Sequence, residues 1–199
     1  SKTAAITPIA VSSDLPSSPL RLDKVSLPLR DITQKIINSK RIAVPGCHAS
    51  GFIALVYPLI KNGILSKDAL LTAHSITGYS GGGKAMIADY ESDERSPLLN
   101  GPRQYGIAQK HKHLPEMSKI TGLENAPVFC PIVADFYSGM EVTVPLFKSQ
   151  LNYGGLEEIK QIYKELYNTE IISYKEANDE GGFLSSASMS YKDSMTVEA

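Results

Sequence analysis

A chain of 199 residues, 42% apolar and 21% charged, has the composition of a globular protein and the length of one domain, or one domain and a tail. Its formal charge of −1 excludes a broad basic footprint for nucleic acid or an anionic membrane surface. The absence of an apolar run of about 18 residues excludes a transmembrane helix.

The first twenty residues also lack the apolar core of a signal peptide. Two cysteines, Cys47 and Cys130, make no disulfide framework and fit a reducing, cytoplasmic setting. Residues 1–30 carry Pro8, Pro16, Pro19 and Pro28 among many Ser and Thr. Their apolar residues keep no period, so an irregular tail is expected. Asp31 can cap a short helix over residues 31–39, with Ile32, Ile36 and Ile37 on one face. Residues 41–44 read as a short buried strand that ends at Pro45-Gly46.

Residues 48–62 are apolar on nearly every face and predict a buried helix, capped by Gly63 and kinked or broken at Pro58. A strand over residues 69–77, a glycine loop over 78–84 and a short helix over 85–92 follow. Residues 91–104 are polar, contain Pro97 and Pro102, and read as a loop. Residues 105–113 are expected to be extended. A helix over 114–121 has Pro115 in its first turn and Gly122 after its end. Two alternating runs within residues 126–147, joined at Ser138-Gly139, predict a β-hairpin. Leu156, Ile159, Ile162, Tyr163 and Leu166 have the spacing of an amphipathic helix. Residues 170–176 and the last few residues read as strands. Helices and strands without a repeat make the class α+β, with residues 31–199 as one domain.

The chemistry centres on Cys47. A strand, a Pro-Gly turn and a helix place it at a helix N-terminus, where backbone N–H groups and the helix dipole stabilise a thiolate. The same N–H groups can hold a developing oxyanion. The alternative is a small buried side chain, which is also the reading for Cys130 inside an alternating strand. On an extended segment His111 and His113 face the same way, and either can serve a thiolate as acid and base. A metal set of Cys47, His48, His111 and His113 has no HExxH or paired CxxC to support it. His48 and His74 receive no role. Gly81, Gly82 and Gly83 with Lys84 can form an anion nest, or simply a flexible turn. Glu116 sits where a carboxylate favours a helix N-terminus.

Four segments carry a resemblance: VPGCHASG at 44–51, TGYSGGGK at 77–84, YGIAQKHKHLPEM at 105–117 and DFYSGMEVTVPL at 135–146. In this order and spacing they resemble the N-acetyl-gamma-glutamyl-phosphate reductase family of arginine biosynthesis, in its shorter variant, from about residue 32 to 199. The Pro-Gly-Cys motif is shared with related semialdehyde dehydrogenases, whereas His-x-Pro-Glu is more specific. The resemblance implies NADPH-dependent reduction of an acyl phosphate to an aldehyde. It implies Cys47 as the nucleophile that forms a thioester and His113 as its acid and base. Tyr105 and Glu116 would support that histidine and the substrate, and Ser80, Gly81, Gly82 and Lys84 would lie near the substrate and its phosphate. Many relatives have Arg where Lys84 stands, so the charge is kept and the two-pronged geometry is not.

The fold implied is the catalytic domain of glyceraldehyde-3-phosphate-dehydrogenase relatives. That is a mixed, largely antiparallel sheet with helices on one face, in a homo-oligomer. The family also places a nucleotide-binding domain before the Pro-Gly-Cys motif and a cofactor-proximal segment after the last strand here. The first 46 residues spell neither Gly-x-Gly-x-x-Gly nor a βαβ unit. The expectation is therefore a catalytic domain without its NADP-holding parts, inactive by itself. A cofactor-independent cysteine hydrolase or acyltransferase using Cys47 and His113, and a non-catalytic oligomerisation domain, are the competing readings.

Overall fold

The structure, a computed structural model, describes residues 45–176 and 180–199, together with Ile37, Asn38, Lys40 and the backbone of Ala4–Ile6. The expected strand over 41–44 lies outside these residues, as does nearly all of the helix expected over 31–39.

Strand β1 (Ala4–Ile6) comes from the stretch read as an irregular tail. Helix α1 (Cys47–Lys61), β2 (Thr72–Gly78), α2 (Lys84–Glu91), β3 (Arg103–Gln104) and α3 (Leu114–Thr121) follow. Then come β4 (Val128–Ala134), β5 (Met140–Thr143), α4 (Leu156–Leu166), β6 (Ile172–Tyr174) and β7 (Met195–Val197). The strands form one sheet in the order β3-β4-β2-β5-β1-β7-β6. The sheet is mixed and the class α+β, as expected. Its antiparallel ladders are β2–β5 and β3–β4, while β2–β4, β1–β5, β1–β7 and β6–β7 run parallel. Among the described residues four of the six ladders are parallel. Chain-distant partners cause this: β1 enters between β5 and β7, and the segment from β2 to β4 passes through helices.

The predicted hairpin is corrected for the same reason. β4 and β5 are consecutive but do not pair, because β2 lies between them. The link at 135–139 passes over the end of β2, where Gly78, Tyr79 and Ser80 donate N–H bonds of 2.9–3.1 Å to the carbonyls of Gly139, Phe136 and Tyr137. A Cβ on Gly78 would lie 2.6 Å from the Phe136 carbonyl oxygen, so only glycine admits this crossing.

Register gives the sheet two different faces. Ala73, Ser75 and Thr77 share one face with Phe129, Pro131, Val133, Met140 and Val142, and all are buried. Helices α1, α3 and α4 cover it, with Phe52, Leu55, Leu59, Met117, Ile159 and Ile162 in the core. His74, Ile76, Cys130, Ile132, Glu141 and Thr143 share the opposite face and are only half-buried or exposed.

Helix α1 runs through Pro58. Pro58 has no N–H to offer the Ala54 carbonyl. The Tyr167 hydroxyl bonds that carbonyl at 2.6 Å, and the Tyr163 hydroxyl bonds the next one, of Leu55, also at 2.6 Å. Both tyrosines are buried, which pushes both hydroxyls above their ordinary range.

Candidate active site

Cys47 is the first residue of α1, after an N-cap at Gly46 in extended conformation. It is partly buried and its thiol is free. The amides of the first helical turn have no intrahelical acceptors, so they open toward the same end of α1. The Gly46 N–H donates to Glu116 Oε2 at 2.9 Å. Glu116 lies in the first turn of α3, so one carboxylate ties the start of α3 to the turn that carries Cys47.

His113 is the N-cap of α3 and is 5% exposed. Its ring lies on Gly46 so closely that a Cβ there would sit 1.8 Å from His113 Nε2. The glycine of the Pro-Gly turn is thus required by the imidazole, not by backbone conformation. Residues 105–113 are not extended as expected. They turn at Gly106–Gln109, and Gln109 has φ of 52°. The Gln109 side chain takes the place of a strand partner: its amide bonds the Phe129 carbonyl at 2.8 Å and accepts the Phe129 N–H at 2.9 Å. His113 has helical backbone angles, and its N–H donates to His111 Nδ1 at 3.2 Å. The two rings still meet edge to face, 4.6 Å between centroids. Burial, and then the charge of Lys112, hold the His111 imidazole below its usual range, while Glu116 opposes them.

A cleft of about 270 Å³ opens here. It is lined by Gly46, Cys47, His48, Thr77, Gly81, Gly82, Met86, Tyr105, His111, Lys112, His113 and Val133. Of the residues singled out in sequence, the structure gathers Cys47, His113, Tyr105, Gly81 and Gly82 around it. Glu116 stands behind Gly46. Ser80 and Lys84 are not in the lining, and Lys84 is exposed at the first position of α2. The Gly81-Gly82 turn is steadied by Tyr79, which stacks on Tyr90 of α2 at 4.7 Å and 10°.

His48, which the sequence left without a role, is 3% exposed and central to the cleft wall. Its Nδ1 lies 2.7 Å from Ser75 Oγ and its Nε2 lies 2.8 Å from Tyr105 Oη. Burial first, and then a thiolate charge at Cys47, push the Tyr105 hydroxyl up to about 12. Lys112 and Thr77 are also cleft residues that the sequence did not mark. The alternation of Ser75 and Thr77 on the buried face of β2 was a usable signal. The placement of Lys112 needed the turn at residues 106–109.

The family model for the semialdehyde dehydrogenase dimerisation domain matches residues 47–195. The chain belongs to the semialdehyde dehydrogenase family. Its match begins at the candidate nucleophile and ends in β7. Among curated relatives, this semialdehyde dehydrogenase domain is 43% identical over 136 residues to N-acetyl-gamma-glutamyl-phosphate reductase of Rhizobium meliloti (strain 1021), covering 67% of this chain and 44% of that protein. It is 42% identical over 134 residues to the enzyme of the same name from Sinorhizobium medicae (strain WSM419), covering 67% and 43%. It is 39% identical over 142 residues to N-acetyl-gamma-glutamyl-phosphate reductase 2 of Nostoc sp. (strain PCC 7120 / SAG 25.82 / UTEX 2576), covering 69% and 44%. The chain therefore spans less than half the length of the relatives it matches. Among the described residues no helix is long and apolar enough to cross a membrane.

Proposed function

We propose that this domain carries the acylation half of N-acetyl-gamma-glutamyl-phosphate reduction in arginine biosynthesis, in the cytoplasm. The observation that carries the reading is the seating of His113 on Gly46, immediately before Cys47. A thiol at a helix start with a buried imidazole beside it is suited to attack an activated acyl carbon.

In this reading Cys47 Sγ attacks the acyl carbon and the thiol proton passes to His113. The bond from carbon to phosphate oxygen breaks, and inorganic phosphate leaves a thioester on Cys47. The amides at the start of α1 face the charge that develops on the acyl oxygen. Gly81 and Gly82 line the same cleft as Cys47, with Lys112 in the lining to meet the phosphate. Glu116 holds the Gly46 turn in register with α3.

NADPH is the reductant proposed for the whole enzyme. The described residues do not fit that cofactor: the turn from β2 into α2 reads Gly-Tyr-Ser-Gly-Gly-Gly-Lys, which is not the dinucleotide fingerprint Gly-x-Gly-x-x-Gly. Residues of this domain are therefore assigned to the thioester step alone, and this chain by itself is proposed to stop there. The half-buried sheet face that holds Ile76, Cys130 and Ile132 is proposed as the surface joining two copies, in keeping with the dimerisation-domain family.

The test is to mix the chain with N-acetyl-gamma-glutamyl phosphate, with and without NADPH, and to follow mass on Cys47, phosphate release and NADPH oxidation. One acyl group on Cys47, one phosphate per chain and no NADPH oxidation are expected. Repeated phosphate release without NADPH favours a hydrolase. No label on Cys47 rejects the reading.

A further inference from the structure

We propose that His48 is a positioning residue that turns the Tyr105 hydroxyl proton away from the Cys47 cleft, so that Tyr105 faces a substrate only as a hydrogen-bond acceptor. One chain of contacts, from Glu141 through Ser75 and His48 to Tyr105, fixes where each proton sits. Ser75 Oγ has a single proton and donates it to the Glu141 carbonyl at 2.9 Å. At its 2.7 Å contact with His48 Nδ1 the serine oxygen can therefore only accept, and the imidazole proton sits on Nδ1. A neutral imidazole protonated there has a bare Nε2. Tyr105 Oη lies 2.8 Å from that nitrogen, so the phenol donates to it. Its one proton is then committed, and only lone pairs remain for the cleft that Tyr105 and Cys47 both line.

The supporting side chains, His48 and Ser75, are buried. Ser75 is 1% exposed on the buried face of β2, and Glu141 supplies a backbone carbonyl from the paired strand β5. Phe129, His113 and His111 surround the His48 ring at centroid distances of 5.3, 5.4 and 5.9 Å. The chain of bonds ends on a carbonyl, which takes up no proton, so it orients Tyr105 and does not relay. Two consequences follow that rest on the proposed acylation of Cys47. Tyr105 is not the general acid, which leaves proton transfer to His113. It also favours a substrate that offers a donor beside its acyl group, such as an amide N–H.

Long-range ¹H–¹⁵N spectra of the ¹⁵N-labelled chain test the proton positions directly. At neutral pH His48 is expected to be neutral with its proton on Nδ1, and Ser75→Ala is expected to move population toward Nε2–H. A proton on Nε2, or on both nitrogens, in the unmodified chain overturns the proposal. A second measurement reads the consequence at Cys47. Once Ser75→Ala frees the Tyr105 proton to turn toward the thiolate, alkylation of Cys47 by iodoacetamide at a fixed neutral pH should change by about fivefold, the worth of one ordinary hydrogen bond. The change should vanish when Tyr105→Phe is also present. An equal change with and without the phenol hydroxyl overturns the proposal, because it marks a merely structural effect. Neither readout needs an acyl phosphate or NADPH, so its failure is distinct from failure of the acylation reading.

Discussion

The Tyr167 hydroxyl donates to the Ala54 carbonyl oxygen at 2.6 Å, across the helix turn where Pro58 has no N–H to give. A proline inside a helix ordinarily leaves that carbonyl without its partner and bends the axis. Here a tyrosine from the end of α4 supplies the missing donor, and the Tyr163 hydroxyl donates to the next carbonyl, that of Leu55, at 2.6 Å. The helix that carries Cys47 stays continuous because another helix completes its hydrogen bonds.

Tyr167→Phe should therefore cost about 1–3 kcal/mol, the range for stranding a buried acceptor. In a Pro58→Ala background the helix regains its own N–H, and the cost of Tyr167→Phe should shrink. Urea denaturation of the four chains in this double-mutant cycle measures the coupling. Equal costs in both backgrounds would show that the hydroxyl does not serve the proline gap.

Gly46→Ala places a methyl within 1.8 Å of His113 Nε2, so the imidazole or the turn must move. A displacement of about 1 Å at a reacting group can cost on the order of 10²-fold in rate. Acylation of Cys47 by N-acetyl-gamma-glutamyl phosphate should fall by about that factor while the circular dichroism spectrum is retained. Retention of the full acylation rate would remove His113 from the proposed step.

The pH dependence of stability should report His111. Folding lowers its proton affinity, chiefly by burial and then by Lys112. On acidification the unfolded chain takes up this proton first, near the ordinary histidine value of about 6.5. The contribution of His111 is therefore present above that pH and is lost as pH falls toward the folded value. His111→Asn should flatten the decline in urea midpoint between about pH 7 and about pH 5. An unchanged slope would assign the decline to other groups.

Glu116 opposes that lowering, so Glu116→Gln should lower the His111 titration midpoint further, as read by NMR. The same substitution keeps an oxygen for the Gly46 N–H, so the Cys47 turn should persist. A midpoint that rises instead would contradict the placement of the carboxylate beside His111.

The half-buried sheet face should govern self-association. Ile132→Lys puts a charge among Ile76, Cys130 and Glu141 and should weaken a dimer by about 2 kcal/mol or more, the scale of an interface hot spot. Sedimentation equilibrium measures it. A chain that stays equally dimeric would move the interface elsewhere.

Local patterns in the sequence were sufficient for several features. The apolar run of α1, the 3.6-residue period of α4, the Pro115 start and Gly122 end of α3, and the Pro-Gly-Cys turn all act through neighbours a few residues apart. Those interactions are legible without a fold. The ordered motifs also named Cys47, Tyr105, His113 and Glu116. Strand partners were decided only in tertiary structure. β2 separates β4 from β5, and three residues of the expected tail enter the sheet as β1, because pairing depends on which edges meet in space. The role of His48 was hidden for the same reason. A histidine one residue after Cys47 has no distinguishing pattern, and its contacts with Ser75 and Tyr105 span 27 and 57 residues. The continuity of α1 through Pro58 likewise depends on Tyr167, 113 residues away from the carbonyl it satisfies. Short-range propensity set the pieces of this domain; long-range hydrogen bonding and packing decided which of them face the cleft.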